Sequence, residues 1–316
     1  MAGSLAVGID IGGTKVAAGV VDEDGRVVEQ VRRDTPSTNP AATEETIVEI
    51  VAELSSRHDV SAVGIGAAGF IDADRSTVRF SPHLAWREEP LREVVGDRTG
   101  LPVVIENDAN AGAWAEYRFG AGRGAPVLAC VNLGTGIGGG VVVGGVLQRG
   151  GYGMAAEFGH MTVVPDGRRC ECGNRGCWEQ YVSGNALARE ARELAASNSP
   201  VAQGLLERVG GDIAAISGPV VTEAAQDGDP AAIELFQEMG RALGVGLASL
   251  AAVLDPTRFV IGGGVSAAGE LLLGPAREVF GRSLTGRGYR PEAPVLAAEL
   301  GNNAGFIGAA DLARTT

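Results

Sequence analysis

Asp10-Ile11-Gly12-Gly13-Thr14-Lys15, near the start of a 316-residue chain, holds the residue types that a nucleotide phosphate requires. Glycines let consecutive backbone N–H groups turn toward oxygen anions, Thr14 offers a hydroxyl, and Asp10 is a carboxylate able to organise Mg2+ through water. The same six residues also fit a tight β-turn with an ordinary Asp and an exposed Lys. A second chemistry is written in Glu157-Phe158-Gly159-His160 and in Cys170-Glu171-Cys172-Gly173-Asn174-Arg175-Gly176-Cys177-Trp178-Glu179. His160, Cys170, Cys172 and Cys177 supply the four N and S ligands of a closed tetrahedral Zn2+ site, and the glycines between them let the chain wrap a small ion. With no ligand position left open, the zinc is expected to be structural rather than catalytic. It would pin His160, whose second ring nitrogen stays free to hydrogen-bond a ligand, and fix Glu157 and Glu179, which flank the block. The third candidate is Asn107-Asp108. A carboxylate where a strand gives way to a helix is either an N-cap or an acceptor of a proton.

Composition limits what these groups serve. With 45% hydrophobic and 21% charged residues the chain is globular, and its length suggests two domains. A net charge of −13 repels nucleic acid and anionic membranes, so any anionic ligand has to be bound locally. No apolar run reaches the roughly 20 residues of a membrane span. The longest, Leu243–Leu254, is interrupted by Gly244, Gly246 and Ser249, and Met1–Gly13 has no basic segment before its apolar stretch. A cytoplasmic location is expected. Three of the four cysteines fall within eight residues, which suits a metal site in reducing cytosol better than a disulfide framework. The fourth, Cys130, lies in a strand-like run and is expected in the core.

The elements that must position these groups are legible in outline. Leu5–Ile11, Val16–Val21 and the run from Arg26 read as antiparallel strands. Asn39-Pro40 opens an amphipathic helix with Ile47, Ile50, Val51 and Leu54 on one side. Strands at Ala62–Ile65 and Pro102–Ile105 follow, the second running into Asn107-Asp108 and the helix Ala109–Arg118. A second glycine-rich hairpin repeats the first at constant offset, Val131-Asn132-Leu133-Gly134 over Ile9-Asp10-Ile11-Gly12, so the chain reads as duplicated. Helical stretches across 184–250, a strand Arg258–Ile261 and a helix around Asn303–Ala313 complete it. Gly64–Gly69 and Gly134–Gly139 both match G-x-G-x-x-G, but neither opens a helix, which argues against a dinucleotide fold. No G-x-x-x-x-G-K-[ST] is present, which excludes a P-loop.

Asp10–Lys15, Asn132–Gly140, the Glu157–Glu179 block and Gly262–Gly264 together resemble the ROK family, within the sugar kinase/Hsp70/actin superfamily, over essentially the whole chain. The resemblance implies a two-lobed α/β actin-like ATPase (ribonuclease H-like) fold with its ligands in a cleft. The small domain would take residues 1–109 and 301–316, and the large one, carrying the zinc loop, 110–300. It implies ATP-dependent phosphorylation of a sugar, with Asp108 as the general base and Mg2+ accompanying ATP. Gly69, Asn107, Asp108, Glu157, His160 and Glu179 would contact sugar. Asp10, Gly12, Gly13, Thr14 and Lys15, then Gly134, Thr135 and Gly136, would hold phosphates, and Gly262, Gly263 and Gly264 would form the adenosine turn. Glu106–Ala111 and Trp114–Gly120 are most similar to family members that phosphorylate glucose at its 6-hydroxyl to give glucose 6-phosphate and ADP. Fructose, mannose, an N-acetylhexosamine or a polyphosphate donor are the alternatives. The family's repressors carry a DNA-binding segment ahead of this scaffold, whereas here the first phosphate strand starts at Leu5, so a kinase is expected. Such kinases form homodimers or homotetramers.

Overall fold

The computed structural model describes residues 4–315; residues 1–3 and 316, part of the expected small domain, lie outside the described residues. The chain begins as β1 (Leu5–Ile11), β2 (Lys15–Val21) and β3 (Val27–Asp34), then α1 (Pro40–Ser55), which Asn39 caps through its side chain to the Ala42 N–H. β4 (Val60–Ala67) leads into three short strands, β5 (Phe70–Ile71), β6 (Val78–Phe80) and β7 (Arg87–Glu89). After α2 (Leu91–Thr99), β8 (Val103–Asn107) passes directly into α3 (Asp108–Phe119). The second hairpin is β9 (Val127–Leu133) and β10 (Ile137–Val143), followed by β11 (Val146–Leu147). Four helices come next, α4 (Gly184–Ala196), α5 (Gln203–Arg208), α6 (Gly218–Gln226) and α7 (Pro230–Leu254). β12 (Arg258–Gly262), α8 (Glu270–Ser283), β13 (Val295–Ala297) and α9 (Ala304–Thr315) close the chain.

Duplication is visible in the topology. One five-stranded sheet has the order β3-β2-β1-β4-β8 and the other the order β11-β10-β9-β12-β13. In each, a hairpin strand leads by parallel pairing into two further strands. Neither G-x-G-x-x-G match opens a helix: Gly64 and Gly66 lie within β4, and Gly134–Gly139 bends into β10. The segment after Gly69, which has no helical period, forms the small sheet β5-β6-β7.

The described chain separates into two compact units, one of residues 4–126, 140–156 and 299–315, the other of 127–139 and 157–298. In the first, strand alternation divides β1 and β4 between two layers. Val7, Ile9, Ile11, Val63, Ile65 and Ala67 enter the core that α1 and α2 cover, with Ile47, Ile50, Leu54 and Leu91. The other face is built of small residues against α9 and α3. A Cβ on Gly8 would overlap the Phe306 carbonyl, one on Gly64 the Ala309 carbonyl, and one on Gly308 the Ala111 carbonyl. Buried carboxylates fasten this layer: Asp311 accepts from Trp114 Nε1 at 2.8 Å, and Glu116 accepts from the N–H groups of Glu299 and Leu300 at 3.2 and 2.8 Å. In the second unit, α7 and α8 meet closely because Gly240 and Gly244 carry no side chain, and Phe259 meets Phe280 edge-on at 5.5 Å between ring centres. Cys130 is buried in β9, as its sequence context predicts.

Because the glycine-lined face leaves no room for a methyl group, Gly64→Ala must push α9 off the sheet. Overpacking of this kind costs about 1–3 kcal/mol. The expected result is a fall in Tm of several degrees by thermal scanning, with Gly151→Ala, where a Cβ meets nothing within 4 Å, as the control for glycine loss in open space.

Candidate active site and metal centre

Parallel register brings together the candidate residues of the first unit. β1, β4 and β8 align Asp10 with Gly66 and Gly66 with Glu106; in the next row Ile11 meets Ala67 and Ala67 meets Asn107. Ligands of parallel sheets gather beyond the carboxyl ends of the strands, where these rows lie. Asp10 shares its face of β1 with Ala6 and Gly8, which turns it toward α9, and a Cβ on Gly305 would overlap its carboxylate. Gly66, in the row between, would place a Cβ 3.5 Å from the Asp108 Cα, at ordinary contact distance.

The turn Gly12–Lys15 is held by backbone. Gly12 N–H donates to the Lys15 carbonyl at 3.0 Å, Thr35 Oγ1 to the Gly12 carbonyl at 2.9 Å, and Thr35 N–H to the Thr14 carbonyl at 3.0 Å. Gly13 lies beside His83, and Thr14 and Lys15 are exposed.

At the end of β8 the cap of α3 is Asn107, whose Oδ1 accepts from the Asn110 N–H at 3.0 Å while its Nδ2 donates to the Gly69 carbonyl at 3.2 Å. Asp108 is thereby released from capping; it is the first helical residue, and its Oδ1 accepts the Ala109 N–H at 2.9 Å. Gly69 needs its missing side chain, because a Cβ would overlap the Phe80 carbonyl. Burial pushes the Asp108 carboxyl above the usual range, against the pull of the Ala109 and Asp108 N–H groups and of His83. Asp10 is pushed up to about 7, by burial first and by the charge of Asp108 second. A proton acceptor with a raised pKa is a stronger base, which suits removal of a hydroxyl proton.

The second unit carries its own candidate residues. Gly134 N–H donates to the Gly136 carbonyl at 3.0 Å, and Gly184 N–H at the start of α4 donates to the Gly134 carbonyl at 2.8 Å. Thr135 is exposed at the tip of this loop. The turn after β12 lies against the strand feeding the loop: Gly263 has φ +83°, and a Cβ there would overlap the Leu133 backbone, while Gly262 neighbours Asn132 Oδ1. Gly264 opens the following helical turn.

The ligand atoms of His160, Cys170, Cys172 and Cys177 all lie within 4.8 Å of one another. Cys172 and Cys177 sulfurs are 3.6 Å apart and Cys170 Sγ is 3.8 Å from His160 Nδ1. Sulfurs arranged tetrahedrally at about 2.3 Å from zinc stand roughly 3.8 Å apart, so the four donors fit the ion, and 3.6 Å is far too long for a disulfide. Two buried anchors hold the block: Cys177 in the core and Trp178, whose Nε1 donates to the Ala242 carbonyl of α7 at 3.1 Å. Glu179 sits between the metal block and the second phosphate loop, with Oε1 3.5 Å from His160 Nδ1 and Oε2 where a Gly136 Cβ would intrude. Glu157 Oε2 is 4.0 Å from the other His160 nitrogen.

Within the first unit, then, Asp10, Gly12, Gly13, Thr14, Lys15, Gly69, Asn107 and Asp108 converge on the strand ends; within the second, Gly134, Thr135, Gly136, Glu157, His160, Glu179 and Gly262–Gly264 gather around the metal block and β12. Gly66, His83 and Gly305 are neighbours that sequence reasoning does not single out. Gly66 sits inside a recognisable glycine pattern, but nothing local ties His83 or Gly305 to Gly13 or Asp10.

A duplicated α/β sheet, glycine turns at strand ends and a closed His/Cys3 block define the actin-like ATPase fold in its sugar-kinase form. The chain belongs to the ROK family, whose pattern matches residues 6–316. A glucokinase of Streptomyces coelicolor is 50% identical over 310 residues, 98% of each chain. The crystal structure of a ROK glucokinase from Streptomyces griseus in complex with glucose and AMPPNP is 53% identical, with a TM-score of 0.91 over 99% of this chain and 100% of that one. The xylose repressor of Bacillus subtilis is 30% identical over 96% of this chain and 75% of the repressor.

Two outcomes follow from this geometry. A folded-state pKa near 7 for Asp10, raised from 3.8, means that its contribution to stability is present at acid pH and lost as pH rises to about 7. Asp10→Asn should therefore raise Tm of the ligand-free protein by several degrees at pH 8 and by clearly less at pH 5; an equal shift at both would remove the buried-charge assignment. Purified protein should hold about one zinc per chain by elemental analysis, and Cys172→Ser should lose most of it together with several degrees of Tm. Unchanged metal content would count against the site.

Proposed function

We propose that this chain transfers the γ-phosphoryl group of ATP to the 6-hydroxyl of glucose, giving glucose 6-phosphate and ADP, with Asp108 as general base. ATP-dependent glucose phosphorylation is supported by the glucokinase relatives at 50% identity and by the glucose-bound structure at 53%. The observation that carries the assignment of the base is local: Asp108 stands half-buried at the head of α3, freed from capping by Asn107, with its pKa raised.

The sugar O6 attacks the γ-phosphorus, forming the O6–P bond as the bond from phosphorus to the bridging oxygen of ADP breaks, and the O6 proton passes to Asp108. Asn107, Gly69, Glu157, His160 and Glu179 are the proposed sugar contacts. Carboxylates that accept from adjacent hydroxyls favour a polyol, since a sugar lacking those groups leaves buried acceptors unpaired. His160 Nδ1 faces the sulfur donors, which leaves Nε2, on the Glu157 side, for a sugar hydroxyl. Asp10 and Gly12–Lys15 are assigned to the phosphates, as are Gly134–Gly136, and Gly262–Gly264 to the adenosine. Asp10 would hold Mg2+ through water, and the ion would neutralise charge on the phosphates. Zn2+ at His160, Cys170, Cys172 and Cys177 would hold His160 and Glu179 in place.

The domains are proposed as a small one of 1–109 and 301–316 and a large one of 110–300, and the enzyme as a cytoplasmic homodimer or homotetramer. Among the described residues no helix is long and apolar enough to cross a membrane. ADP release with MgATP should be stimulated by glucose well beyond fructose, mannose, N-acetylglucosamine and N-acetylmannosamine. Asp108→Asn should lose at least about a thousandfold in kcat while glucose still binds by calorimetry. Another sugar ahead of glucose would overturn the substrate, and near-wild-type turnover by the variant would overturn the base.

A further inference from the structure

Glu106 immediately precedes the proposed sugar contact and base, yet its carboxylate is 1% exposed and takes no direct part in either role. Its Oε1 accepts the Asn107 N–H at 2.9 Å and the Asn110 side-chain amide at 3.2 Å. Its Oε2 lies 2.7 Å from Arg149 Nε and 3.1 Å from Arg75 Nε. Arg149 also donates NH1 to the Ala73 carbonyl and NH2 to the Asp72 carbonyl, both at 2.8 Å. Three separate pieces of chain are thus tied to one carboxylate: the strand-to-helix junction at 106–110, the turn 72–77, and the segment after β11.

The turn is itself built to present Arg75. The Asp72 carboxylate accepts from the Ser76 and Thr77 N–H groups and the Ser76 hydroxyl, which outweighs its burial and holds its pKa below the ordinary range. Arg75 has φ 54°, a left-handed conformation that costs a residue with a side chain about 1 kcal/mol or more and persists only where its surroundings require it. Arg75 and Arg149 repel one another, and Glu106 is the group that lies between them. With Asp72 the local count is two positive and two negative charges. A buried ion cluster is weak evidence for stability, because desolvation offsets most of its Coulombic gain; its best-attested use is to select one arrangement over others.

We infer that Arg75, Glu106 and Arg149 form a positioning site that clamps the Asn107–Asp108 turn, so that the base is held in its reactive orientation before substrate arrives. This inference rests on the proposed role of Asp108. Asn107 is gripped from both sides, by Glu106 at its N–H and by the Gly69 carbonyl at its side chain, which leaves the first turn of α3 little freedom. Pre-orientation of a reacting group is worth orders of magnitude in rate, and a displacement of about 1 Å is enough to lose about a hundredfold.

Glu106→Gln keeps the shape of the side chain and removes its charge. The expected result is a fall in kcat of tenfold or more with the KM for ATP within twofold, together with faster amide hydrogen exchange in the peptide spanning 105–112 and unchanged exchange across 127–139. Arg75→Gln, which leaves the Glu106–Arg149 pair balanced, should fold as wild type and lose at least threefold in kcat. Exchange decides whether the clamp exists even if no sugar is turned over, in which case the functional reading fails by itself. A folded Glu106→Gln protein with near-wild-type kcat and unaltered exchange would overturn the clamp. So would a Glu106→Gln chain that does not fold, if Arg75→Gln is fully active with unaltered exchange, since the cluster would then be structural only.

Discussion

The parallel register of β1, β4 and β8 is the constraint on which the rest of the first unit depends. It sets Asp10, Gly66 and Glu106 in one row and Ile11, Ala67 and Asn107 in the next. A slip of one residue would turn every side chain to the opposite face. Asp10 would enter the apolar layer under α1, and Ile9 and Ile11 would be driven into the glycine-lined layer, where even a methyl group on Gly8 or Gly64 does not fit. The glycines therefore do more than permit turns: by excluding side chains from one face, they specify the pairing that delivers two acids to the strand ends.

Those acids work against folding. Asp10 and Asp108 stand half-buried near one another, and each is pushed toward its protonated form by the loss of water, Asp10 also by the charge of Asp108. A protein selected for stability alone would place neither there. Under the roles proposed for them, the same loss of water would give Asp108 the basicity to take a hydroxyl proton and a cation at Asp10 would offset its cost, which links that cost to what binding contributes.

The metal block solves a different problem. Residues 157–179 contain little regular secondary structure beyond two helical turns, and loop backbone bonds tie the block together, among them Trp178 N–H to the Met161 carbonyl and Cys170 N–H to the Asn174 carbonyl, both at 2.9 Å. Four donors within 4.8 Å and the burial of Trp178 against α7 add to that framework. Glu179 stands next to both His160 and the Gly134–Gly136 loop.

Much of this was determined by the sequence alone. The β1 and β9 hairpins, the helix opened by Asn39-Pro40, the strand running into Asn107-Asp108 and the His/Cys3 ligand set all depend on local spacing, which a linear chain displays. The first hairpin has nearly the limits its sequence suggests, Leu5–Ile11 as read and Lys15–Val21 starting one residue earlier, whereas in the second the strand Ile137–Val143 takes in Gly138–Gly140. The strands after Gly69 were not legible, because each has two or three residues and only pairing makes them strands. Nor did local pattern show whether Asn107 or Asp108 caps α3, since either side chain suits the position and the choice rests on the Gly69 carbonyl, 38 positions away. Only the tertiary structure decided that Gly305 lies on Asp10, that His83 stands beside Gly13, and that Arg75 and Arg149 meet on Glu106. Each of these joins residues far apart in the chain through burial and charge neutralisation, which depend on distance in space and leave no period in the sequence.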